Sequence, residues 1–294
     1  MTCKVTLQRV MFCLAAAWSL FNCGLHAQTP FEKLLRQKID SLFAAGNNVA
    51  ASDINDVNGQ KGTYMLSPND AMQSIMSPTG WGGYGTYIFG GIGAIYPEVY
   101  RQNKADLITS FGACTGNSLK VVNVAASINM TDVHRIRDFS ANFIISKSIN
   151  RGNSISAGAM QLFANEQQSD APGSTFYIAY SHAVQTILSR VSGCSKLSYT
   201  IGFGTGRFLY KSPKDIQAGR GKYGTAIFGN ISYEIFKHSN LIVEWSGMNL
   251  GISLGLRPFK NPLSIGFGLN NLTRYSADKA NMILSIGYPL SVKR

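Results

Sequence analysis

The chain has 294 residues, of which 45% are hydrophobic, only 14% are charged and 30 are glycine. A typical soluble domain carries about 25% charged residues and about 7% glycine. This charge-poor, glycine-rich composition excludes a disordered chain, which would be rich in charge and poor in apolar residues. It also excludes a coiled coil, and no apolar run reaches the roughly 18 residues that a membrane-spanning helix needs.

Residues 1–27 have the pattern of a secretory signal peptide. Lys4 and Arg9 precede an apolar run of about a dozen residues, and the small residue Ala27 marks the predicted cleavage site. Removal of this segment lowers the formal net charge of +12 by two and leaves two of the five cysteines, Cys114 and Cys194. The sequence therefore predicts an exported chain in a compartment that permits disulfides.

Residues 28–80 follow a different pattern from the rest of the chain. Residues 46–67 are polar and loop-like, whereas the preceding stretch carries an apolar stripe at helical spacing. The stripe consists of Phe31, Leu34, Leu35, Ile39, Leu42 and Phe43. Two interpretations are open: a periplasmic extension whose helix packs under the mouth of the following domain, or a plug inside that domain. The extension is the preferred interpretation.

From residue 81 to residue 294, large apolar residues alternate with small or polar ones. Between Leu250 and Leu256, for example, every second residue is Leu or Ile, and the residues between them are Gly, Ser and Gly. This period of two is typical of strands with two different faces. A soluble sandwich would carry many charges on its polar face, and here that face has few. The pattern predicts an all-β transmembrane antiparallel up-and-down barrel, with large residues facing lipid and small ones facing the lumen.

Counting the alternating segments predicts twelve strands, an even number as in single-chain bacterial barrels, with ten or fourteen as alternatives. A strand of about eleven residues, tilted by about 40°, spans roughly 28 Å and matches the apolar band of such barrels. With both chain termini in the periplasm, five of the six predicted outward loops are longer than most of the inward turns. The predicted strands are 86–97, 105–115, 119–130, 138–148, 153–163, 174–185, 196–208, 224–236, 240–246, 248–258, 262–272 and 279–290.

The late hairpin carries a resemblance to other barrels. It reads Glu244-Trp245-Ser246-Gly247-Met248-Asn249-Leu250-Gly251, followed by Arg257-Pro258-Phe259. This stretch resembles a hairpin that recurs in uncharacterised bacterial outer-membrane barrel proteins, some of which are linked to exopolysaccharide export. The rest of the chain shares only the strand rhythm with them. The resemblance supports the barrel and does not identify a substrate.

The sequence predicts no catalytic or metal site. Ser181 and His182 invite comparison with barrel phospholipases that use serine and histidine, but neighbours on a strand point to opposite faces and cannot form that pair. His134, His182 and His238 are scattered, and neither CxxC nor HExxH occurs. We therefore expect no metal, no cofactor and no enzymatic activity.

The two remaining cysteines are predicted to stay reduced. Cys114 and Cys194 fall on strands separated by roughly 20 Å across the predicted ring, whereas a disulfide needs Cα atoms within about 7 Å. The exception would be a turn carrying Cys194 that folds across the opening.

Several polar residues share the small-residue face of the predicted strands and should point into the lumen. In a wet lumen they would tune ion selectivity, and in a closed one they would form a structural hydrogen-bond network. Both alternatives remain open. These lumen-lining candidates are Glu234, Glu244, Arg257, Asn230, Asn249 and Asn270.

Basic residues gather in the predicted outward loops. The simplest interpretation is a solvated rim, and the alternative is binding of anionic lipid headgroups or acidic glycans. Nucleic acid is not an expected partner, although basic charge often suggests it. The loop residues are Arg135, Arg137, Lys211, Lys214, Arg220 and Lys222.

Taken together, these patterns slightly favour a small pore or an export component, because lumen positions rich in Gly and Ser leave space. The alternative is a closed structural or partner-binding barrel in envelope assembly, secretion or polysaccharide handling. The expected location is the outer membrane of a Gram-negative bacterium. Expected partners are outer-membrane lipid and lipopolysaccharide, the barrel-assembly machinery and, for the alternative, an envelope or secretion partner.

Overall fold

The computed structural model describes residues 65–97, 105–133, 136–164, 173–273 and 279–292, which lie in a unit spanning Gly62–Arg294. The predicted signal peptide and the apolar stripe fall outside the described residues. The strands are β1 Ser67–Pro68, β2 Tyr87–Tyr96, β3 Asp106–Gly116, β4 Asn123–Asp132, β5 Arg137–Asn150, β6 Asn153–Leu162, β7 Thr175–Ala183, β8 Cys194–Ser195, β9 Leu197–Gly204, β10 Ile227–Phe236, β11 Ser239–Trp245, β12 Leu250–Leu256, β13 Ser264–Asn270 and β14 Asn281–Ser291. A 3-10 turn covers Gly206–Phe208, and a short helix, α1, covers Pro213–Gln217.

Twelve of these strands form a closed antiparallel barrel, in the order β2 to β7 and then β9 to β14. Each pairs with its neighbour along the chain, and β7 pairs with β9 across the connection that contains β8. The ring closes where β14 pairs with β2, from Met282 opposite Tyr96 to Ser291 opposite Tyr87. Closure leaves no free strand edge in the barrel. The prediction of a twelve-stranded up-and-down barrel is confirmed.

The predicted strand bounds differ from the observed ones mainly where local turns intervene. β4 begins at Asn123 and not at residue 119, because Oδ1 of Asn117 accepts hydrogen bonds from the backbone N–H groups of Leu119 and Lys120 and holds a turn there. β9 ends at residue 204 and not at 208, because Gly206 has a φ of +53° and begins the 3-10 turn. Period-two alternation alone does not reveal such side-chain and glycine turns.

The barrel wall has an apolar outer face and a small or polar inner face. Ile252 is 42% exposed although it lies in the middle of a regular strand, whereas the next residue, Ser253, is 5% exposed. Leu284 and Phe267 face outward in the same way on their strands. This distribution is that of a barrel whose outer surface meets acyl chains. None of the helices within the described ranges has the length and apolarity needed to cross a membrane.

Substitution of a lipid-facing residue tests this orientation. We expect Ile252→Arg to lower the free energy of unfolding by about 2–4 kcal/mol, because it places a guanidinium in the acyl region. The measurement is guanidinium-induced unfolding of the barrel in phospholipid vesicles. Phe259→Arg is the matched control, since Phe259 is 58% exposed in the connection after β12 and should lose at most about 1 kcal/mol. Equal losses in the two variants would contradict the lipid-facing assignment.

Candidate functional site

Residues 66–83, which we call the inner segment, run against the inward-facing side chains of the barrel. We call the end where β2 begins and β14 finishes the terminus end, and the opposite end the loop end. The inner segment starts at the terminus end, where β1 pairs in parallel with β8 of the β7–β9 connection. It then contacts β11, β9, β6 and β7 before Tyr84 pairs with Asn117 beside the start of β2. Residues 28–64 of the predicted extension or plug lie outside the described residues.

The first contacts of the inner segment are made by a pair of side-chain amides and by a carboxylate that faces two basic side chains. The side chains of Asn69 and Asn240 exchange two hydrogen bonds of 2.8 and 2.9 Å. The carboxylate of Asp70 lies 2.8 Å from Nδ1 of His238 and 3.3 Å from Nη1 of Arg257. The predicted lumen residue Arg257 is therefore half-buried and paired with the inner segment.

The carboxylate of Glu244 on β11 binds the middle of the inner segment. Glu244 is 3% exposed. The backbone N–H groups of Ile75, Met76 and Ser77 donate hydrogen bonds of 3.0 to 3.2 Å to its two oxygens. The hydroxyl of Ser74 also donates to Oε1. A carboxylate removed from water needs such donors to offset its lost hydration. Here the donors come from one four-residue turn.

The second half of the inner segment packs against β6 and β7. The N–H of Gly80 donates to Oγ of Ser181 at 2.7 Å, and its carbonyl accepts from Oγ of Ser154 at 2.6 Å. The carbonyl of Thr79 accepts from Oγ of Ser156 at 2.8 Å. A Cβ at residue 80 would lie 2.4 Å from the backbone oxygen of Ser154, so this approach requires glycine.

The one sequence pair that suggested catalysis is divided between the two faces of β7. Ser181 is buried and faces the inner segment, and its hydroxyl also lies 2.7 Å from Oγ1 of Thr200. His182 faces the opposite way, with Nδ1 2.7 Å from Oδ1 of Asn153 and its ring against Tyr199. Across the described part of the chain, no group of three His, Cys, Asp or Glu side chains could hold a metal ion.

The β7–β9 connection covers part of the terminus end. Glu234 on β10 is fully buried, and its two carboxylate oxygens accept hydrogen bonds of 3.2 and 3.3 Å from the backbone N–H of Arg190 in this connection. Cys194 lies in the same connection, with its Sγ 3.5 Å from Oγ of Ser67. Cys114 and Cys194 are both free, so the prediction of two free thiols is confirmed.

The three predicted lumen asparagines are buried in the wall. Asn230 lies opposite Glu244 in the β10–β11 register. Oδ1 of Asn249 accepts a hydrogen bond of 3.0 Å from Oγ1 of Thr273. This bond links the β11–β12 connection to the β13–β14 connection at the loop end. Asn270 packs so closely against Gly251 that a Cβ there would lie 2.4 Å from its Oδ1. Asn249 and Asn270 therefore contact neighbouring groups of the inner wall.

An aromatic cluster fills one side of the lumen toward the loop end. The rings of Phe208 and Phe228 stack with centroids 4.2 Å apart, and Tyr177 meets Phe228 edge-on at 6.1 Å. Phe208 comes from the β9–β10 connection, residues 205–226, which turns inward over the barrel. Sequence alternation missed this role, because it assigned residue 208 to the end of a strand.

The predicted basic loop residues have different environments. Lys211 is 5% exposed, and its Nζ donates a hydrogen bond of 2.8 Å to the carbonyl of Arg220, so it braces the β9–β10 connection. Arg220 and Lys222 are exposed, and Nζ of Lys222 lies 5.8 and 5.6 Å from the ring centroids of Tyr210 and Tyr223. The side chains of the others lie outside the described part: Arg135, Arg137 and Lys214.

The lumen keeps a cavity of about 530 Å³ beside β14, β2 and β3. Ile75 and Met76 of the inner segment border it on one side, and Gln161 and Arg207 border it toward the loop end. The inner segment packs on the opposite wall, so it fills only part of the lumen. The inward-facing strand residues at the cavity are Phe89, Gly91, Gly93, Ile95, Asp106, Ile108, Ser110, Asn129, Ser264, Ile283, Ser285, Gly287 and Pro289.

The closed ring, the apolar outer face and the polar interior together define a transmembrane β-barrel of the even-stranded, antiparallel kind found in bacterial outer membranes. The protein is a barrel of this outer-membrane kind, and its outer face contacts membrane lipid. It belongs in the outer membrane of a Gram-negative bacterium.

Comparison with known proteins gives barrel neighbours at low identity. No protein family profile and no curated protein match this chain. The KdgM porin is 13% identical over 69% of this chain and 98% of its own, with a TM-score of 0.41. Outer membrane phospholipase A from Escherichia coli is 7% identical over 72% and 99%, with a TM-score of 0.39. A variant of the Rh. blastica porin is 8% identical over 70% and 99%, with a TM-score of 0.32. At these values the neighbours assign neither a substrate nor a role to this chain.

Replacement of Glu244 tests whether it anchors the inner segment. Hydrogen bonds to a charged group contribute about 1.5–3 kcal/mol each and neutral ones about 0.5–1.5. In Glu244→Gln we therefore expect the amides of Ile75, Met76 and Ser77 to exchange with deuterium about five- to tenfold faster, by mass spectrometry of the reconstituted protein. Glu234→Gln is the control, because that carboxylate binds Arg190 instead. Unchanged protection in Glu244→Gln, or equal loss in the control, would contradict the anchor.

The reactivity of Cys194 tests the packing of the β7–β9 connection. Burial raises the pKa of the Cys194 thiol above its ordinary value, and the contact with Ser67 lowers it by less. Because the thiolate is the reactive form, iodoacetamide should modify Cys194 more slowly than free cysteine at pH 8, and the rate should still rise above pH 9. Ser67→Ala should slow the modification further, since it removes the lowering contact. Labelling at the rate of free cysteine would show that the thiol is not buried.

Proposed function

We propose that the protein is a narrow outer-membrane pore for small hydrophilic solutes, with the lumen cavity as its aqueous path. The cavity carries this proposal: its volume of about 530 Å³ lies within the about 300–1,000 Å³ of small-molecule sites. The inner segment occupies the opposite side of the lumen and narrows the path without contacting all of the wall.

Two glycines of the cavity wall favour an open path over close packing. A Cβ at Gly287 would meet only the backbone oxygen of Gly90, at 4.0 Å, and a Cβ at Gly93 would meet nothing closer than 3.9 Å. A side chain would therefore fit at either position. Its absence leaves space in the lumen, in contrast to Gly80, where a Cβ would collide with the wall.

The wider role that we propose is transport across the outer membrane. Export is one version of that role, because the late hairpin resembles barrels that are linked to exopolysaccharide export. A cavity of this size would pass small solutes, and export of a polymer would require the inner segment to move. In either version the barrel-assembly machinery would insert the protein, and lipopolysaccharide would surround its loop end.

One observation favours a second function. The hydrogen bonds between Glu244 and the turn Ser74–Ser77 hold the inner segment in the lumen, as a permanently closed barrel would require. Such a barrel would serve envelope assembly or secretion by presenting its loops or its N-terminal segment to a partner. Conductance separates this function from the pore.

Conductance in planar lipid bilayers tests the pore. We expect the purified wild-type barrel to conduct ions, and Gly287→Phe to reduce its single-channel conductance severalfold, because the ring would project into the cavity. Gly90→Phe is the matched control: residue 90 is on the adjacent strand beside the lipid-facing Phe111, where a Cβ meets nothing closer than 3.8 Å. Its conductance should equal that of the wild type.

Two results would contradict the proposal. A folded wild-type barrel without conductance would favour the closed, partner-binding function. Conductance that Gly287→Phe leaves unchanged would mean that ions do not pass beside β14 and β2.

A further inference from the structure

The negative charges that face the lumen are largely satisfied by neighbouring groups. Glu244 accepts hydrogen bonds from the backbone of the inner segment, and Glu234 accepts them from Arg190. Asp70 is paired with His238 and Arg257. None of these three residues is among those that line the cavity.

Arg207 is a half-buried cation at the loop-end side of the cavity. Its backbone is fixed, because its N–H donates a hydrogen bond of 3.0 Å to Oγ1 of Thr175 and the preceding Gly206 contacts the same threonine. Its guanidinium carbon lies 6.0 Å from the ring centroid of Phe208, at the edge of the aromatic cluster. The turn therefore directs this side chain toward the lumen.

The guanidinium of Arg207 makes no ion pair and donates no hydrogen bond within the part of the chain that the structure describes. Arginine stays protonated at any physiological pH and offers five N–H donors in a planar fork. Asp106 also borders the cavity and has an interaction of its own. Arg207 is thus a cation with unused donors at the cavity.

Gln161 supplies a second unused polar group at the same cavity. Its Oε1 is buried and has no hydrogen-bond partner among the described residues. Rotation of the carboxamide by 180° exchanges its oxygen and nitrogen, which presents an NH₂ donor in the same place.

We infer that the lumen cavity selects small anions and that the guanidinium of Arg207 is the group that selects them. This inference rests on the proposed pore and adds the charge class of its solute. A fixed cation beside a narrow, partly desolvated path lowers the energy of a passing anion and raises that of a cation. The net positive charge of the whole chain acts in the same direction.

The reversal potential of the wild-type barrel in a planar bilayer, under a tenfold gradient of potassium chloride, tests the inference. We expect the sign of an anion-selective pore. Arg207→Gln should reduce the chloride-to-potassium permeability ratio severalfold, and Arg207→Glu should reverse the selectivity. Arg207→Lys keeps the positive charge and should keep the anion preference. It therefore separates the effect of the charge from the effect of changing the side chain. Potassium acetate in place of chloride tests whether carboxylates pass.

Arg220→Gln is the matched control, because it removes one exposed arginine from the same connection outside the cavity. Its permeability ratio should equal that of the wild type. A cation-selective wild type, or a ratio that Arg207→Gln leaves unchanged, would overturn the anion selectivity and leave the pore standing. A wild-type barrel that does not conduct would overturn the pore and the selectivity together.

Discussion

The interior of this barrel depends on one buried carboxylate that backbone N–H groups satisfy in place of water. A carboxylate at low dielectric costs several kcal/mol unless donors surround it, and an unpaired buried N–H is costly as well. Glu244 and the turn from Ser74 to Ser77 therefore stabilise each other, since either one alone would leave buried polar groups unpaired. Their contact holds the middle of the inner segment at β11, and the cavity lies beside β14, β2 and β3.

Glycine contributes to this interior in two opposite ways. At Gly80 and Gly255 a Cβ would collide with Ser154 and with Met72, so these glycines let the inner segment and the wall approach each other. At Gly93 and Gly287 a side chain would fit, so the same residue type leaves space at the cavity. The glycine-rich composition thus serves both the packed half of the lumen and the empty half. A count of glycines cannot distinguish the two roles, because they differ only in what lies opposite.

The strands were predictable because the faces of a barrel wall differ at every second residue, and this contrast persists along the whole ring. The inward direction of Glu234 and Glu244 follows from the same alternation. Their partners do not follow from the alternation, because Ile75, Met76, Ser77 and Arg190 belong to irregular segments whose backbone supplies the donors. A backbone N–H has no sequence signature. Lys211 and Phe208 were also unpredictable, since the inward fold of the β9–β10 connection depends on a turn at Gly206 and not on a periodic pattern. Glu234 and Glu244 lie on a face of small residues, and buried carboxylates there need hydrogen-bond donors. Their presence was the sequence signal that another segment of the chain enters the lumen.

The most direct test of this account is the distance between the nitrogen of Met76 and the carboxyl carbon of Glu244, measured by solid-state NMR in lipid bilayers. Met76 follows Ile75 in the one Ile-Met pair of the sequence, so carbonyl labelling of isoleucine assigns its nitrogen. Hydrogen bonds of 3.1 and 3.2 Å to the two oxygens place the carbon within roughly 4 Å of that nitrogen and predict a strong cross peak. A resolved Met76 signal without that cross peak would show that the inner segment does not bind Glu244, and would contradict the account.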